Sequence, residues 1–205
     1  MTVLSQTQSA LELLDYFGLA VFAISGALLA AEKRQTLVTF IFFAVVTGVG
    51  GGTLRDLLIG APVFWVHTNA TLLICIGAAL LVWLASRRFS GRALLWFDAA
   101  GLAAYACYGA AKALGFGVAP VPAFAMGVMT ACAGGIIRDV LAAEPSILMR
   151  PELYVTAAAL TAGLFVGLAL LGVSAWVAAA VAIAAGFGLR GVAIARGWSL
   201  PAYRD

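Results

Sequence analysis

The chain has 205 residues, of which 64% are hydrophobic and only 10% are charged. A soluble domain of this length is about half apolar and a quarter charged, so this composition excludes a water-soluble fold and makes lipid the predicted solvent. The formal net charge of +3 gives no indication of nucleic-acid binding. Only helices or a closed barrel satisfy their backbone groups in lipid, and long apolar blocks without alternating polarity predict helices.

Seven apolar blocks come close to the roughly 20 residues that a membrane-spanning helix needs. They cover residues 12–32, 36–58, 68–86, 94–114, 122–142, 152–172 and 174–195. The first block has no basic leader and is longer than the apolar core of a signal peptide, so we expect it to be retained. The joint at 172–174 is weak, which leaves a six-span arrangement with a long final hairpin open.

The sequence repeats itself at an offset of 83 residues without gaps. The aligned identities include Asp15 with Asp98, Thr47 with Thr130, Gly51-Gly52 with Gly134-Gly135, and Arg55-Asp56 with Arg138-Asp139. Each copy holds three spans, and an odd number of spans turns the second copy over in the membrane. Inverted repeats of this kind place a pathway or solute site at their interface.

The predicted fold is therefore an all-α integral membrane protein of seven transmembrane helices. We expect one membrane domain, 1–205, with repeat one at about 12–86 and repeat two at about 94–172. The seventh helix, at about 174–195, lies outside the repeat.

Glycines cluster at matching positions of the second and fifth spans, as Gly50-Gly51-Gly52 and Gly134-Gly135. Each glycine costs a helix about 1 kcal/mol relative to alanine, so each cluster is a point where a helix can kink or unwind. Glycine-interrupted segments in both halves are typical of a conduction or binding site. The alternative is close helix packing, which small residues permit. Because the cluster occurs twice, we favour the pathway.

An Arg-Asp pair follows each glycine cluster. Neighbouring residues do not face each other on a helix, so we expect Arg55 to use another partner, such as Asp139 of the other repeat or Asp15. Charges inside a membrane usually face a cavity or pair with one another. Both a structural ion-pair network and contact with a permeant ion fit this pattern, and the repeat-related Asp15 and Asp98 are candidate counter-ions.

Lys112 breaks the symmetry of the repeat, because the equivalent residue is Leu29. It lies late in the fourth span, where its ammonium group would reach either a water-filled path or the membrane interface. We favour the interface. In the sixth span, Gly163-x-x-x-Gly167 fits a close helix contact within or between subunits.

Basic residues predict the orientation. Seven spans place nearly all of them on the side of the C-terminus: Lys33, Arg34, Arg87, Arg88, Arg92, Arg150, Arg190, Arg196 and Arg204. We therefore expect a multi-pass protein of the inner cell membrane, with its N-terminus outside and its C-terminus in the cytoplasm.

Motifs for enzymatic chemistry are missing. A single histidine excludes a His-Glu-x-x-His zinc site, and neither Gly-x-Ser-x-Gly nor Cys-x-x-Cys occurs. The cysteines, Cys75, Cys107 and Cys132, lie in apolar blocks and read as buried hydrophobic residues. We therefore predict neither an enzyme nor a bound metal or cofactor.

The twin strings Gly51-Gly52-Thr53-Leu54-Arg55-Asp56 and Gly134-Gly135-Ile136-Ile137-Arg138-Asp139 resemble the prokaryotic branch of the trimeric intracellular cation (TRIC) channel family. The resemblance implies a homotrimer with one pathway in each protomer, between the second and fifth helices, conducting monovalent cations and mainly potassium. The second string departs from the triple glycine at Ala133. Some bacterial relatives are described as transporters, so the alternative is a secondary transporter of a small solute such as an amino acid.

The resemblance and the repeat together give the candidate residues. The predicted pathway and gating residues are Thr47, Gly50, Gly51, Gly52, Arg55, Asp56, Lys112, Thr130, Gly134, Gly135, Arg138 and Asp139, with Asp15 and Asp98 as counter-ions.

Overall fold

The computed structural model describes residues 3–85 and 92–201, and over these ranges the chain forms seven α-helices and no β-strand. The helices are α1 (Val3–Glu32), α2 (Leu37–Leu58), α3 (Asn69–Ala85), α4 (Ala93–Gly115), α5 (Pro120–Leu141), α6 (Val155–Leu170) and α7 (Ala175–Arg196). A short 3-10 helix, Ile147–Met149, lies between α5 and α6. The predicted fold class is confirmed.

The predicted helix limits are close to those observed, with one clear difference at the start of the first helix. Helix α1 begins at Val3 and not at residue 12. The weak joint separates two helices, because Gly172 has φ +76 and turns the chain between α6 and α7. The six-span alternative is therefore excluded. The predicted end of the third span, residue 86, lies outside the described residues.

Four helices are long and apolar enough to cross a membrane by length and composition alone: Leu13–Glu32, Leu37–Leu58, Pro120–Leu141 and Ala175–Arg196. Helices α3 and α6 are apolar but shorter. Helix α4 carries Asp98 and Lys112, and almost every residue from 98 to 110 is buried. A helix with charges can lie in this position because its neighbours, and not lipid, surround it.

The helices pack as two equivalent groups of three. Helices α1, α2 and α3 pack against one another, and so do α4, α5 and α6. The two groups meet where α1 packs on α4 and α2 packs on α5, so each of these helices faces its own repeat-related counterpart. Helix α7 packs on α6 and α4. The four helices at the centre therefore surround the pseudo-two-fold axis of the inverted repeats.

Individual contacts obey the same symmetry. Gly18 of α1 lies against the ring of Tyr105, and the equivalent Gly101 of α4 lies against the ring of Phe22. Neither position has room for a side chain, because a Cβ there would lie within 3 Å of the facing ring. Small residues thus set how closely α1 and α4 approach, as they do between helices in membranes.

The turns that end α2 and α5 also match. The amide of Ala61 donates to the carbonyl of Asp56, and the amide of Glu144 donates to that of Asp139. Both turns contain a residue in the left-handed region: Gly60 with φ +69 and Ala143 with φ +54. Glycine adopts this conformation without cost, whereas alanine does not. The chain after each helix then returns across the end of the bundle.

Candidate functional site

Helices α2 and α5 cross at their glycine clusters without a break. Both are continuous α-helix through these residues, so neither helix is unwound. A Cβ at Gly51 would lie 2.0 Å from the carbonyl oxygen of Thr130, and one at Gly134 would lie 2.4 Å from that of Thr47. The two backbones are in direct contact, and no ion fits between them at this level in the conformation described.

The glycines therefore pack α2 closely against α5, an arrangement that the sequence analysis gave as the alternative to a pathway. Gly50 faces the side chain of Ile137, and a Cβ there would lie 3.1 Å from its Cδ1. The Thr130 hydroxyl donates to the carbonyl of Met126 in its own helix. The Thr47 hydroxyl is buried and has no hydrogen-bond partner among the described residues.

The repeat-two charge cluster consists of Asp98, Arg138 and Asp139 with Ser25 of α1. Arg138 Nη1 lies 2.7 Å from Asp98 Oδ1 and 3.0 Å from the Ser25 hydroxyl. Its Nε donates to Asp139 Oδ1 at 3.0 Å, and Asp139 Oδ2 accepts from the amide of Ile147 at 3.1 Å. Arg138 is only 2% exposed. Asp98, a predicted counter-ion, thus contacts the arginine of its own repeat.

The repeat-one charge cluster consists of Asp15, Arg55 and Asp56 with Tyr108 and Lys112 of α4. Arg55 Nε donates to Asp56 Oδ1 at 2.9 Å, and Lys112 Nζ lies 2.8 Å from the same oxygen. The guanidinium of Arg55 lies over the Tyr108 ring at 5.0 Å. The amide of Phe64 donates to Asp56 Oδ2 at 3.0 Å, as that of Ile147 does in the other cluster.

Two expectations about the Arg-Asp pairs were wrong. Each arginine forms an ion pair with the aspartate that follows it. The long arginine side chain bends back around the helix end and reaches an oxygen that the Cβ directions alone would not suggest. The expected pairing of Arg55 with Asp139 across the repeats is not observed among the described residues. The two residues belong to different clusters.

Lys112, whose ammonium group we expected at the membrane interface, contacts a buried carboxylate. Its side chain turns inward to Asp56 and is 17% exposed. It also lies 5.9 Å from the Phe64 ring centroid. A buried carboxylate attracts the ammonium group more strongly than the interface does, because the charge of Asp56 would otherwise be only partly compensated in a low-dielectric region. Lys112 therefore ties α4 of one repeat to α2 of the other.

A cavity of about 260 Å³ opens at the end of the bundle that carries the repeat-two cluster. Charges of both signs line it together with apolar side chains: Leu29, Glu32, Leu94, Leu95, Arg138, Asp139, Glu144, Ile147 and Arg150. Beside it, Lys33 and Glu144 form an exposed ion pair, and this contact lowers the pKa of the Glu144 carboxyl. The cavity thus leads from the surface to Arg138.

Arg190 of α7 is a site residue that sequence reasoning missed. It was counted among the cytoplasmic loop charges, but its side chain is 2% exposed and contacts the Glu152 carboxylate. Its guanidinium lies 5.4 Å from the centre of the Tyr154 ring. The Tyr154 hydroxyl points toward Gly135, where a Cβ would lie 2.8 Å from it. Arg87, Arg88 and Arg204 of the same charge set lie outside the described residues.

Ser25 and Tyr108 were missed for a different reason. They occupy equivalent positions of the two repeats, but an alignment that counts identities passes over a serine opposite a tyrosine. Both face the arginine of a charge cluster. The sequence signal that could have identified these two residues is a pair of different polar residues at repeat-related positions. The glycine pair of α6 is a smaller case: a Cβ at Gly163 would lie 3.6 Å from the Phe124 ring, whereas one at Gly167 would meet nothing within 4 Å.

Seven helices in inverted repeats, with buried charge clusters related by that symmetry, define an integral membrane protein. A family model described as "Glycine transporter" matches residues 12–87 and 95–170, and the chain belongs to this family.

Relatives in other bacteria are named as membrane proteins. A UPF0126 membrane protein of Vibrio cholerae is 45% identical over 156 residues, which are 73% of this chain and 64% of that protein. The UPF0126 inner membrane protein YadS of Escherichia coli is 43% identical over 148 residues, 70% of this chain and 72% of YadS. This chain therefore spans less than two thirds of the V. cholerae protein.

Solved structures with the same fold are cation channels. The TRIC trimeric intracellular cation channel orthologue from Rhodobacter sphaeroides is 43% identical, with a TM-score of 0.90 over 93% of this chain and 100% of that one. A second TRIC cation channel, studied for conductance, is 30% identical with a TM-score of 0.83, over 95% of this chain and 97% of that one. These neighbours are channels and not enzymes, in agreement with the sequence prediction.

Proposed function

We propose that the protein is a channel for monovalent cations, with potassium preferred, and that each protomer contains its own pathway at the interface of α2 and α5. The observation that carries the proposal is the likeness to TRIC channels over 93% to 95% of the chain. The inverted repeat supports it, because it supplies an interface within one chain.

In this proposal the crossing of α2 and α5 is the gate, and the conformation described is closed. Conduction requires the two backbones to separate at Gly51 and Gly134. The groups that would then face an ion are the carbonyls and hydroxyls of Thr47 and Thr130, which can replace part of its hydration shell. The remaining candidates, Gly50, Gly52 and Gly135, allow the helices to move at this level.

The charge clusters would lie at the two ends of that pathway. Arg55, Asp56 and Lys112 form one end, and Arg138 and Asp139 form the other, beside the 260 Å³ cavity. We further propose a homotrimer, a single membrane domain in which both repeats move, and a C-terminus in the cytoplasm. The exposed basic residues Lys33, Arg34 and Arg150 support this orientation.

Recording from purified protein in planar bilayers tests the channel. Unitary currents that reverse near the potassium equilibrium potential in a KCl gradient are expected. Currents that reverse near the chloride potential, or potassium movement without unitary currents and in fixed stoichiometry with protons or sodium, would contradict it. Bilayers that receive detergent alone are the control.

A transporter of a small zwitterion such as an amino acid is the second candidate, and one observation favours it. In the repeat-one cluster, Arg55 Nη1 and Asp15 Oδ1 are buried and have no hydrogen-bond partner among the described residues. A guanidinium donor and a carboxylate acceptor match the carboxylate and ammonium groups of an amino acid. The description of the family as "Glycine transporter" points the same way. Saturable exchange of radiolabelled glycine by proteoliposomes, without potassium currents, would select this candidate.

A further inference from the structure

The two charge clusters have the same residues at three equivalent positions. Apart from the added Lys112–Asp56 contact and the exchange of Ser25 for Tyr108, they differ in whether the aspartate and arginine of neighbouring helices are joined. Asp98 and Arg138 are joined at 2.7 Å. The equivalent Asp15 and Arg55 interact electrostatically but form no ion pair with each other. Asp15 Oδ1 and Arg55 Nη1 are each left without a partner among the described residues. We call the Asp98–Arg138 pair closed, because its ion pair is formed, and the Asp15–Arg55 pair open, because its ion pair is not.

The open pair is not explained by the bonds that each arginine makes in its own helix. Arg55 bonds to Asp56 as Arg138 bonds to Asp139, with Nε to Oδ1 distances of 2.9 and 3.0 Å. The missing contact is the one between helices, from α2 to α1, whereas its counterpart from α5 to α4 is formed. Although Arg55 is paired with Asp56, Arg55 Nη1 and Asp15 Oδ1 remain without a hydrogen-bond partner among the described residues. Unsatisfied charged groups are costly inside a membrane, so a movement that joins these two atoms is favoured.

The closed Asp98–Arg138 pair lies near contacts that join the two repeats. Beside it, Lys33 in the turn after α1 pairs with Glu144 in the turn after α5. Arg138 also reaches across the repeats to the Ser25 hydroxyl. The residues equivalent to Lys33 and Glu144 at the opposite end are Phe116 and Ala61, which cannot form an ion pair.

We propose that the two carboxylate–guanidinium pairs close alternately. The structure describes the state in which Asp98–Arg138 is closed. In a second state, repeat one adopts the helix arrangement that repeat two has in the first state, and repeat two adopts that of repeat one. The Asp15–Arg55 pair then closes, the Asp98–Arg138 pair opens, and Lys33 separates from Glu144. Because one pair forms as the other breaks, the loss of the Asp98–Arg138 contact is offset, and we expect both states to be populated.

The exchange goes beyond the proposed function, since a channel would use it for gating and a transporter for alternating access. It requires that the turns after α1 and α5 move apart. It also requires that the two aspartates act in opposite directions. Loss of Asp15 removes the contact that stabilises the second state, and loss of Asp98 removes the one that stabilises the first.

Distances between spin labels in liposomes test the exchange without reference to transport. Labels at Gln35→Cys and Leu148→Cys report the separation of the repeats and leave the Lys33–Glu144 pair intact. Two distance populations are expected. D15N should enrich the shorter distance and D98N the longer one. Labels at Trp176→Cys and Arg196→Cys, at the two ends of helix α7 outside the repeats, form the matched control and should give one distance in every variant.

One unchanged distance across the repeats in all three proteins would overturn the proposal. A shift in the same direction in D15N and D98N would also overturn it, because a loss of packing alone has no reason to give opposite signs. The labelled proteins carry alanine in place of the buried native cysteines, which are Cys75, Cys107 and Cys132.

A reversible cross-link connects the exchange to flux. Lys33→Cys and Glu144→Cys, joined by a bifunctional methanethiosulfonate reagent, should stop cation flux, and reduction should restore it. Thr36→Cys with Thr39→Cys, both in repeat one, is the control and should conduct with or without the reagent. Equal flux in the joined and reduced protein would overturn the exchange. Unmodified protein without flux would instead contradict the proposed channel, and the label distances would still decide the exchange.

Discussion

Gly51 and Thr130 approach each other so closely that a methyl group at Gly51 would lie 2.0 Å from the carbonyl oxygen of Thr130. The opposing atom belongs to the backbone of α5, so it cannot rotate away as a flexible side chain would. Gly134 and Thr47 form the equivalent contact at 2.4 Å. Both helices therefore depend on glycine for their crossing.

Gly51→Ala should force α2 and α5 apart and destabilise the protein by about 1–3 kcal/mol, the usual cost of overpacking. Thermal unfolding of the detergent-solubilised protein measures the effect. Gly77→Ala is the matched control, because a Cβ at this glycine of α3 meets nothing within 4 Å. Equal stability of the two variants would contradict the crossing as described. In the proposed channel, folded Gly51→Ala protein should also conduct more than wild type.

Arg138→Ala and Asp98→Ala should be strongly non-additive. Side chains in one buried network couple by roughly 0.5–3 kcal/mol in a double-mutant cycle. Arg55→Ala and Asp139→Ala belong to different clusters and should add within about 0.5 kcal/mol. Chemical unfolding of the four single and two double variants provides both cycles. Strong coupling of Arg55 to Asp139 would restore the cross-repeat pairing that the structure replaces.

Ala143→Gly should stabilise the protein by about 1 kcal/mol. Ala143 has φ +54, a conformation in which a Cβ crowds the backbone and which glycine adopts freely. The reverse change at the equivalent turn, Gly60→Ala, should destabilise by a similar amount even though its Cβ would meet open space. Unfolding temperatures of the two variants should move in opposite directions. Movement in the same direction would show that backbone strain is not the cause.

Arg190→Met should destabilise the protein by about 1–3 kcal/mol, because it removes the charge-assisted contact of the buried guanidinium with the Glu152 carboxylate. The loss should appear first as faster amide exchange in residues 147–154, which Arg190 holds through Glu152 and Tyr154. Arg196→Met, at an exposed position of the same helix, is the control and should leave exchange unchanged. Equal protection in both variants would contradict this prediction.

Cysteines introduced at the two ends of the helix bundle should report the proposed orientation of the protein in the membrane. Phe116 and Gln35 are exposed in turns at opposite ends of the bundle. A membrane-impermeant maleimide should label Phe116→Cys in intact cells, and it should label Gln35→Cys only after the membrane is opened. The reverse pattern would place the C-terminus outside. Unsubstituted protein should stay unlabelled, since its cysteines are buried.

The fold was predictable from the sequence because the properties that determine it are local or periodic. Apolar length predicted the seven helices, and the repeat predicted their symmetry. The turn between α6 and α7 was the uncertain point, since Gly172 is followed by an apolar valine and offers no charge or proline to mark a helix end. Its positive φ is visible only in the structure.

The partners within the site were less predictable because they depend on side-chain length and on helix rotation. A rule based on Cβ directions predicted that Arg55 and Asp56 would not meet, yet a guanidinium on a three-carbon stem reaches further than the rule considers. For Lys112, the balance between the interface and a buried carboxylate could not be judged until Asp56 was known to face α4. The sequence also offered no means of placing Arg190 inside the bundle.

The contacts between the repeats have a consequence for how this architecture arose. Gly51 meets Thr130 as Gly134 meets Thr47, so the surface that joins the halves is complementary to itself. A self-complementary surface has to evolve only once, whereas two different matching surfaces must evolve together. One three-helix ancestor, inserted into the membrane in both directions, already possesses everything needed to pair with its own copy. A single gene duplication is then sufficient to give a chain whose two copies can differ, as they do at Leu29 and Lys112.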